Sequence, residues 1–210
     1  MYGHFLKRMI DFTLASIVVF VSSPIFLLLC LIIRLDSKGP VFFKQRRIGK
    51  DKIEFDMLKF RTMRTDAPKD MPTHLLKNPE AHITKVGKIL RKTSLDELPQ
   101  LFNIMMGKMS IVGPRPALWN QYDLISERDN YGANNIRPGL TGWAQVNGRD
   151  ELTIPIKSKL DGQYVNKMSF MFDLKCVLLT IVSVPKAEGV VEGNVLNSEH
   201  ETNNSNAKGD

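Results

Sequence analysis

The chain has 210 residues, 43% of them hydrophobic, and a formal net charge of +7, enough material for one domain, or one domain plus appendages, with a buried core. Its two cysteines, Cys30 and Cys176, have no metal-ligand spacing and exclude both a disulfide framework and a zinc site. Residues 1–70 hold 13 Lys/Arg against 7 Asp/Glu, while residues 186–210 hold 2 against 5. The basic end is also the apolar end, and no aromatic-basic RNA motif accompanies it, which favours a phospholipid surface or an anionic ligand over nucleic acid. The plainer alternative is a solvated basic face.

From Phe12 to Ile33 the chain is almost wholly apolar for 22 residues, about 33 Å as a straight helix and long enough to span a bilayer. Ser22-Ser23-Pro24 interrupts it: Pro24 has no N–H and crowds the carbonyl of Phe20, which predicts a kink, with serine hydroxyls at hand for the freed backbone groups. Lys7 and Arg8 precede the segment, and Arg34, Lys38, Lys44, Arg46 and Arg47 follow it, so both flanks read as cytoplasmic. A helix broken at Ser23-Pro24 enters and leaves on one face, whereas a single-pass span has to place one basic flank outside. Pro24 after the only small-residue site, with the apolar run continuing, argues against a cleaved signal peptide.

Gly39-Pro40 predicts a turn and Val41-Phe42-Phe43 a short strand, with basic residues behind it. Ile53 to Phe60 alternates as a half-buried strand should. Lys59 and Arg61, on one face at its end, are either phosphate ligands or surface charge. The proline-bearing stretch from Asp66 to Ala81 predicts a loop, in which His74 and His82 have no obvious ligand partners. Val86 to Leu90 predicts a short helix leading to Arg91.

Two adjacent carboxylates, Asp96 and Glu97, then stand just ahead of an apolar series at helical spacing, Leu98, Leu101, Phe102 and Met105. A helix start with Arg91 beside it favours phosphate. Two acids there repel a phosphate unless one binds a divalent cation or attacks the phosphorus. The bland alternative is a capping box, Ser94-x-x-Glu97. Pro99 weakens it, since a proline fits the first turn of a helix better than its fifth residue, and a helix starting near Pro99 leaves the acids in the preceding loop.

After a helix to about Met106, Pro114 and Pro116 flank Arg115 and stiffen the backbone around a guanidinium suited to a diphosphate, or simply form a rigid turn. Tyr122 to Tyr131 predicts a short charged helix. Arg137 to Arg149 reads as loop, strand and loop, its glycines permitting close backbone approach and Trp143 either stacking on a base or filling the core. Asp150-Glu151 is a rival acid pair without an evident helix start. Ile156 to Asn166 predicts a helix, and Met168 to Val184 an interfacial or core helix too short to span a membrane. The polar stretch 186–210 predicts disorder.

Taken in order, the basic-flanked segment broken at Ser23-Pro24, Lys59-Phe-Arg-Thr-Met63, Arg91-Lys-Thr-Ser-Leu-Asp-Glu-Leu-Pro-Gln-Leu101, Ile111-Val-Gly-Pro-Arg-Pro116, Arg137-Pro-Gly-Leu-Thr-Gly-Trp143 and Leu160-Asp-x-x-Tyr-Val165 resemble the bacterial sugar transferases, small monotopic phosphoglycosyl transferases. The resemblance runs from about Met1 to Pro185. It implies an α/β fold, a small sheet with surrounding helices, an N-terminal re-entrant membrane helix and interfacial amphipathic helices. It divides the chain into a membrane helix (1–35), a cytoplasmic catalytic domain (36–185) and the tail (186–210), at the cytoplasmic face of the bacterial inner membrane. The implied reaction moves a sugar phosphate from a UDP-sugar to polyprenyl phosphate with release of UMP. By the same resemblance Asp96 is the nucleophile, Glu97 its partner, and Mg²⁺ lies at the pair. Arg91, Arg115 and Lys59 then bind phosphate, and Asp161 supports the site by orienting an arginine or approaching the metal. A nucleotide-sugar hydrolase and a non-catalytic membrane adaptor are the alternatives.

Overall fold

The structure, a computed structural model, describes residues 2–67, 79–148 and 151–183. The tail at 186–210, His74 and Asp150 lie outside the described residues. A π-helical turn, Tyr2–Leu6, leads into α1, Lys7–Asp36. Next come β1 (Phe42–Ile48), β2 (Glu54–Phe60), α2 (Lys85–Lys92) and α3 (Gln100–Met105). The order continues with β3 (Ser110–Val112), α4 (Tyr122–Asp129), β4 (Gly139–Thr141), α5 (Trp143–Val146), α6 (Ile154–Lys167) and α7 (Phe170–Ser183). The expected α/β class is observed, built on two small sheets: β1 and β2 form an antiparallel hairpin, while β3 and β4 pair in parallel.

The 30 residues of α1 continue through Pro24, and helical rise makes the element about 45 Å long. Ser23 Oγ donates a 2.8 Å hydrogen bond to the Phe20 carbonyl, the acceptor that Pro24 has no N–H to reach. Asp11, Ala15, Phe26, Leu29 and Ile33 are buried along one stripe. Ala15 joins Phe55, Met57, Leu101, Ile104 and Met109 in one core cluster, and Phe26, Leu29 and Ile33 join Phe60 and Leu90 in another. The remaining faces of α1 expose Phe12, Ile17, Phe20, Val21, Leu27, Leu28 and Leu31 among others. The helix is therefore long and apolar enough to enter a membrane, yet both its ends are packed on the same body.

Polar contacts fasten those ends. Lys7 is buried against Asp173 of α7, which also accepts from the hydroxyls of Tyr2 and Tyr164. Asp11 accepts from Ser110 Oγ at 2.7 Å and the Ile111 N–H at 3.1 Å, tying α1 to β3. At the far end the buried Arg61 donates to the carbonyls of Ile33, Ser37 and Lys38. Arg61 is thus a C-terminal clamp on α1 in place of the phosphate ligand considered above, because helix-end carbonyls need donors and carry partial negative charge. Gly39, at φ +126°, makes room for it: a Cβ there would lie 2.2 Å from Arg61 Nη1.

Two further elements depart from expectation. The strand expected at 41–43 extends to Ile48, so the basic run lies inside β1; Lys44 and Arg46 point out, while Arg47 turns inward and donates to the Pro116 carbonyl. After β4 the chain makes one helical turn, α5, which lays Trp143 on Phe172 with ring centroids 5.0 Å apart. The indole N–H donates to Gln163, so Trp143 serves packing here.

Candidate active site

The dyad stands in a 3₁₀ turn, Leu95–Glu97, between α2 and α3. Ser94 ahead of it is left-handed (φ 56°) and makes no capping bond, so the capping box is not formed. Pro99 caps α3, as its fit to a first turn predicts. Because α3 has six residues and the expected Leu98–Met106 helix is shortened at both ends, its dipole adds little, and side-chain cations supply the positive field instead.

Three elements bring those cations. β2 delivers Lys59, whose Nζ lies 2.7 Å from Glu97 Oε1 and 3.5 Å from Asp96 Oδ2. The rigid segment Gly113–Pro116 delivers Arg115, whose Nη2 donates to the same Glu97 oxygen at 3.1 Å. The last turn of α2 delivers Arg91, which donates through Nε to Thr62 Oγ1 and lies close enough to Asp96 to favour its ionised form. Lys59 was considered a phosphate ligand or a surface charge; it is largely buried and bridges the two acids.

The two acids differ in state. Burial pushes the Asp96 carboxyl above the ordinary carboxylate range and the neighbouring Glu97 charge adds to this, against the pull of Lys59, Arg91 and Arg115. Burial acts on Glu97 in the same sense, but Lys59 and Arg115 overcome it by charge and hydrogen bond and hold that carboxyl well below the ordinary range. Glu97 is thus a fixed anion between two cations, and Asp96 a buried, less tightly paired carboxylate.

A second layer fixes the first. Asn103 on α3, fully buried, accepts from the Leu58 N–H at 2.8 Å and donates to the Asp56 carbonyl at 2.8 Å, pairing the free edge of β2 one residue from Lys59. Behind Arg115, the buried Arg128 donates through Nη1 to its carbonyl at 2.9 Å and through Nε and Nη2 to Asp161 Oδ2 at 2.8 and 2.6 Å. Of the two roles considered for Asp161, the geometry is that of orienting an arginine. Sequence reading missed Arg128 and Asn103; a polar residue inside an apolar helical pattern was the available signal for Asn103, while Arg128 sits in a charged helix that offered none. The glycines provide the close approach foreseen: a Cβ on Gly139 would lie 2.1 Å from the Gly113 nitrogen, and one on Gly142 would lie 2.0 Å from its oxygen. Glu151, the described half of the rival acid pair, is exposed, and α6 begins three residues later at Ile154.

Among the described residues no group of three or more His, Cys, Asp or Glu forms a ready-made metal cage. Among the described residues the bonds to the dyad fall on Glu97 Oε1 and Asp96 Oδ2, which leaves Glu97 Oε2 and Asp96 Oδ1 as carboxylate oxygens for a divalent cation. That donor set suits Mg²⁺, which binds one or two carboxylates and completes its shell with water and substrate phosphates.

A small α/β body with an exposed apolar helix and a cation-clamped carboxylate pair has the parts for phosphoryl or glycosyl phosphate chemistry beside a lipid phase. The sequence profile of bacterial sugar transferases matches residues 2–187, and the chain belongs to that family. It is 42% identical over 197 residues to the uncharacterized sugar transferase EpsL of Bacillus subtilis, covering 94% of this chain and 96% of EpsL. It is 37% identical over 201 residues to the exopolysaccharide production protein ExoY of Rhizobium meliloti, covering 89% of this chain and 88% of ExoY. It is 39% identical over 184 residues to the UDP-glucose:undecaprenyl-phosphate glucose-1-phosphate transferase of Escherichia coli, which is 84% of this chain but 39% of that longer enzyme.

Proposed function

We propose that this sugar transferase moves a sugar phosphate from a UDP-sugar to polyprenyl phosphate, releasing UMP, at an early membrane step of exopolysaccharide or related polysaccharide assembly. The names of its relatives support the substrates, and the unequal carboxylate pair supports the mechanism. An Asp96 carboxylate oxygen attacks the sugar-bearing phosphorus, and the bond from that phosphorus to the bridging oxygen breaks. UMP leaves with the bonding pair, and the phosphosugar stays on Asp96 as an acyl phosphate. An oxygen of polyprenyl phosphate then attacks the same phosphorus, giving the lipid diphosphate sugar and freeing the carboxylate.

The single observation that carries this assignment is that Glu97 is clamped by Lys59 and Arg115 while Asp96, among the described residues, has no partner closer than Lys59 at 3.5 Å. Glu97 keeps the two cations in place, and Arg115 and Arg91 are positioned to take phosphate oxygens of the donor. Mg²⁺ held by Glu97 and Asp96 would neutralise diphosphate charge and stabilise the leaving UMP. The exposed apolar faces of α1 would enter one leaflet and return, which keeps the dyad at the cytoplasmic interface where a membrane-bound acceptor arrives.

Intact mass of detergent-solubilised protein, incubated with Mg²⁺ and a panel of UDP-sugars without acceptor, tests the covalent step. The expected result is a gain of one sugar phosphate, absent in Asp96→Asn and discharged by polyprenyl phosphate. Discharge by water at the same rate with or without lipid would favour a hydrolase. No adduct and no UMP from any donor would overturn the enzymatic reading.

A further inference from the structure

A second cationic recess lies at the opposite end of α3. Glu97 precedes the six-residue α3, Gly107 follows it, and neither dyad residue lines the recess, so the recess is separate from the dyad. Its lining includes Lys7, Arg8, Lys50, Arg137, Asp11 and Met168, around a small recess of about 40 Å³ that opens to solvent. The one acid, Asp11, is already committed to Ser110 and the Ile111 N–H, and Lys7 to Asp173.

Arg8 and Arg137 converge on the C-terminal end of α3. Arg8 donates to the carbonyls of Ile104 and Met105 through Nη1 and Nη2, and Arg137 to that of Gly107 through Nε. Among the described residues the two Nη groups of Arg137 have no bond, and Lys50 Nζ faces only the exposed Asp51 at 3.7 Å. Two guanidiniums held together with donors to spare form an anion receptor. Its surroundings are apolar: the Arg8 guanidinium lies 5.7 Å from the centroid of the Phe12 ring, and Met106, between the carbonyls that the two arginines grip, is exposed.

We propose that this recess binds the phosphate headgroup of an anionic phospholipid, with an acyl chain laid along Phe12 and Met106 onto the apolar face of α1. The proposal rests on the membrane placement of α1 given above. Phosphate is the shared chemistry, and free inorganic phosphate is the competing source. Phe12 and Met106 favour the lipid, since a free ion gains nothing from them.

Native mass spectrometry of the full chain in detergent, titrated with phosphatidylglycerol, phosphatidylcholine or inorganic phosphate, tests it. The expected result is one saturable phosphatidylglycerol. Lys50→Gln with Arg137→Gln should weaken it by roughly tenfold or more, at about one charge contact per residue, and Arg137→Lys should retain most of it. The Asp96 adduct should form at the wild-type rate in all of these variants. Equal binding of phosphatidylglycerol to wild type and the doubly substituted chain, or equal binding of phosphatidylcholine, would overturn the site. Competition by inorganic phosphate at the lipid's own concentration would overturn the lipid assignment. Flotation with phosphatidylcholine vesicles separates this from the parent reading: a wild-type chain that fails to float overturns the membrane placement of α1, whereas one that floats without a selective headgroup overturns the recess alone.

Discussion

Asp96 and Glu97 are neighbours in sequence and opposites in electrostatics. The folded Asp96 carboxyl titrates above its unfolded value, so keeping it ionised costs stability at neutral pH, and that cost vanishes as pH falls through the folded pKa. Glu97 runs the other way: its folded pKa is depressed, so it contributes stability above the unfolded value of about 4.3 and loses it as pH falls through the folded one. Asp96→Asn should therefore melt at or above the wild type near pH 7, with the gap closing toward about pH 4, while turnover falls on the order of 10³-fold or more. Thermal melts across pH, paired with UMP release, check both halves. The dyad itself was legible, because two adjacent acids beside an arginine and ahead of Pro99 are chemically conspicuous. Lys59 and Arg61 were not separable: a two-residue period puts them on one face but does not tell what stands opposite, and the partners prove to be Glu97 for one and the end of α1 for the other.

At the scale of elements, the site depends on β2 and α3 keeping register. Asn103 makes the bonds a third strand would make, so the edge of β2 carrying Lys59 is satisfied by a helix side chain. Asn103→Ala leaves the Leu58 N–H and the Asp56 carbonyl unpaired and should cost about 2–4 kcal/mol, measured by denaturant unfolding, with a parallel loss of activity. The helices other than α5 were readable from their periodicity, with ends displaced by at most three residues except at the start of α1, which lies five residues before Phe12. The pairing of β3 with β4 was not, since three-residue strands carry too little pattern to identify a partner and their contact is made by backbone at Gly113, Gly139 and Gly142. Arg128 escaped notice for a related reason: inside a short charged helix, a buried arginine and a solvated one look alike until Asp161 is brought up from 33 residues away.

For the whole molecule, α1 is part of the core as well as the carrier of the exposed apolar faces. Its residues enter both of the larger apolar clusters, and Phe26, Leu29 and Ile33 each contribute about 1.5–3 kcal/mol of burial. A chain lacking residues 1–36 should therefore show no cooperative unfolding transition and should aggregate, which calorimetry and light scattering would detect. The ion pair between Lys7 and Asp173 has a temporal consequence. The lysine leaves the ribosome 166 residues ahead of its partner, at roughly 10 residues per second, so the amine waits many seconds for it. The hydrophobic helix is thus made well before it is latched, and an intermediate lacking that latch is a natural stage for chaperones to act upon.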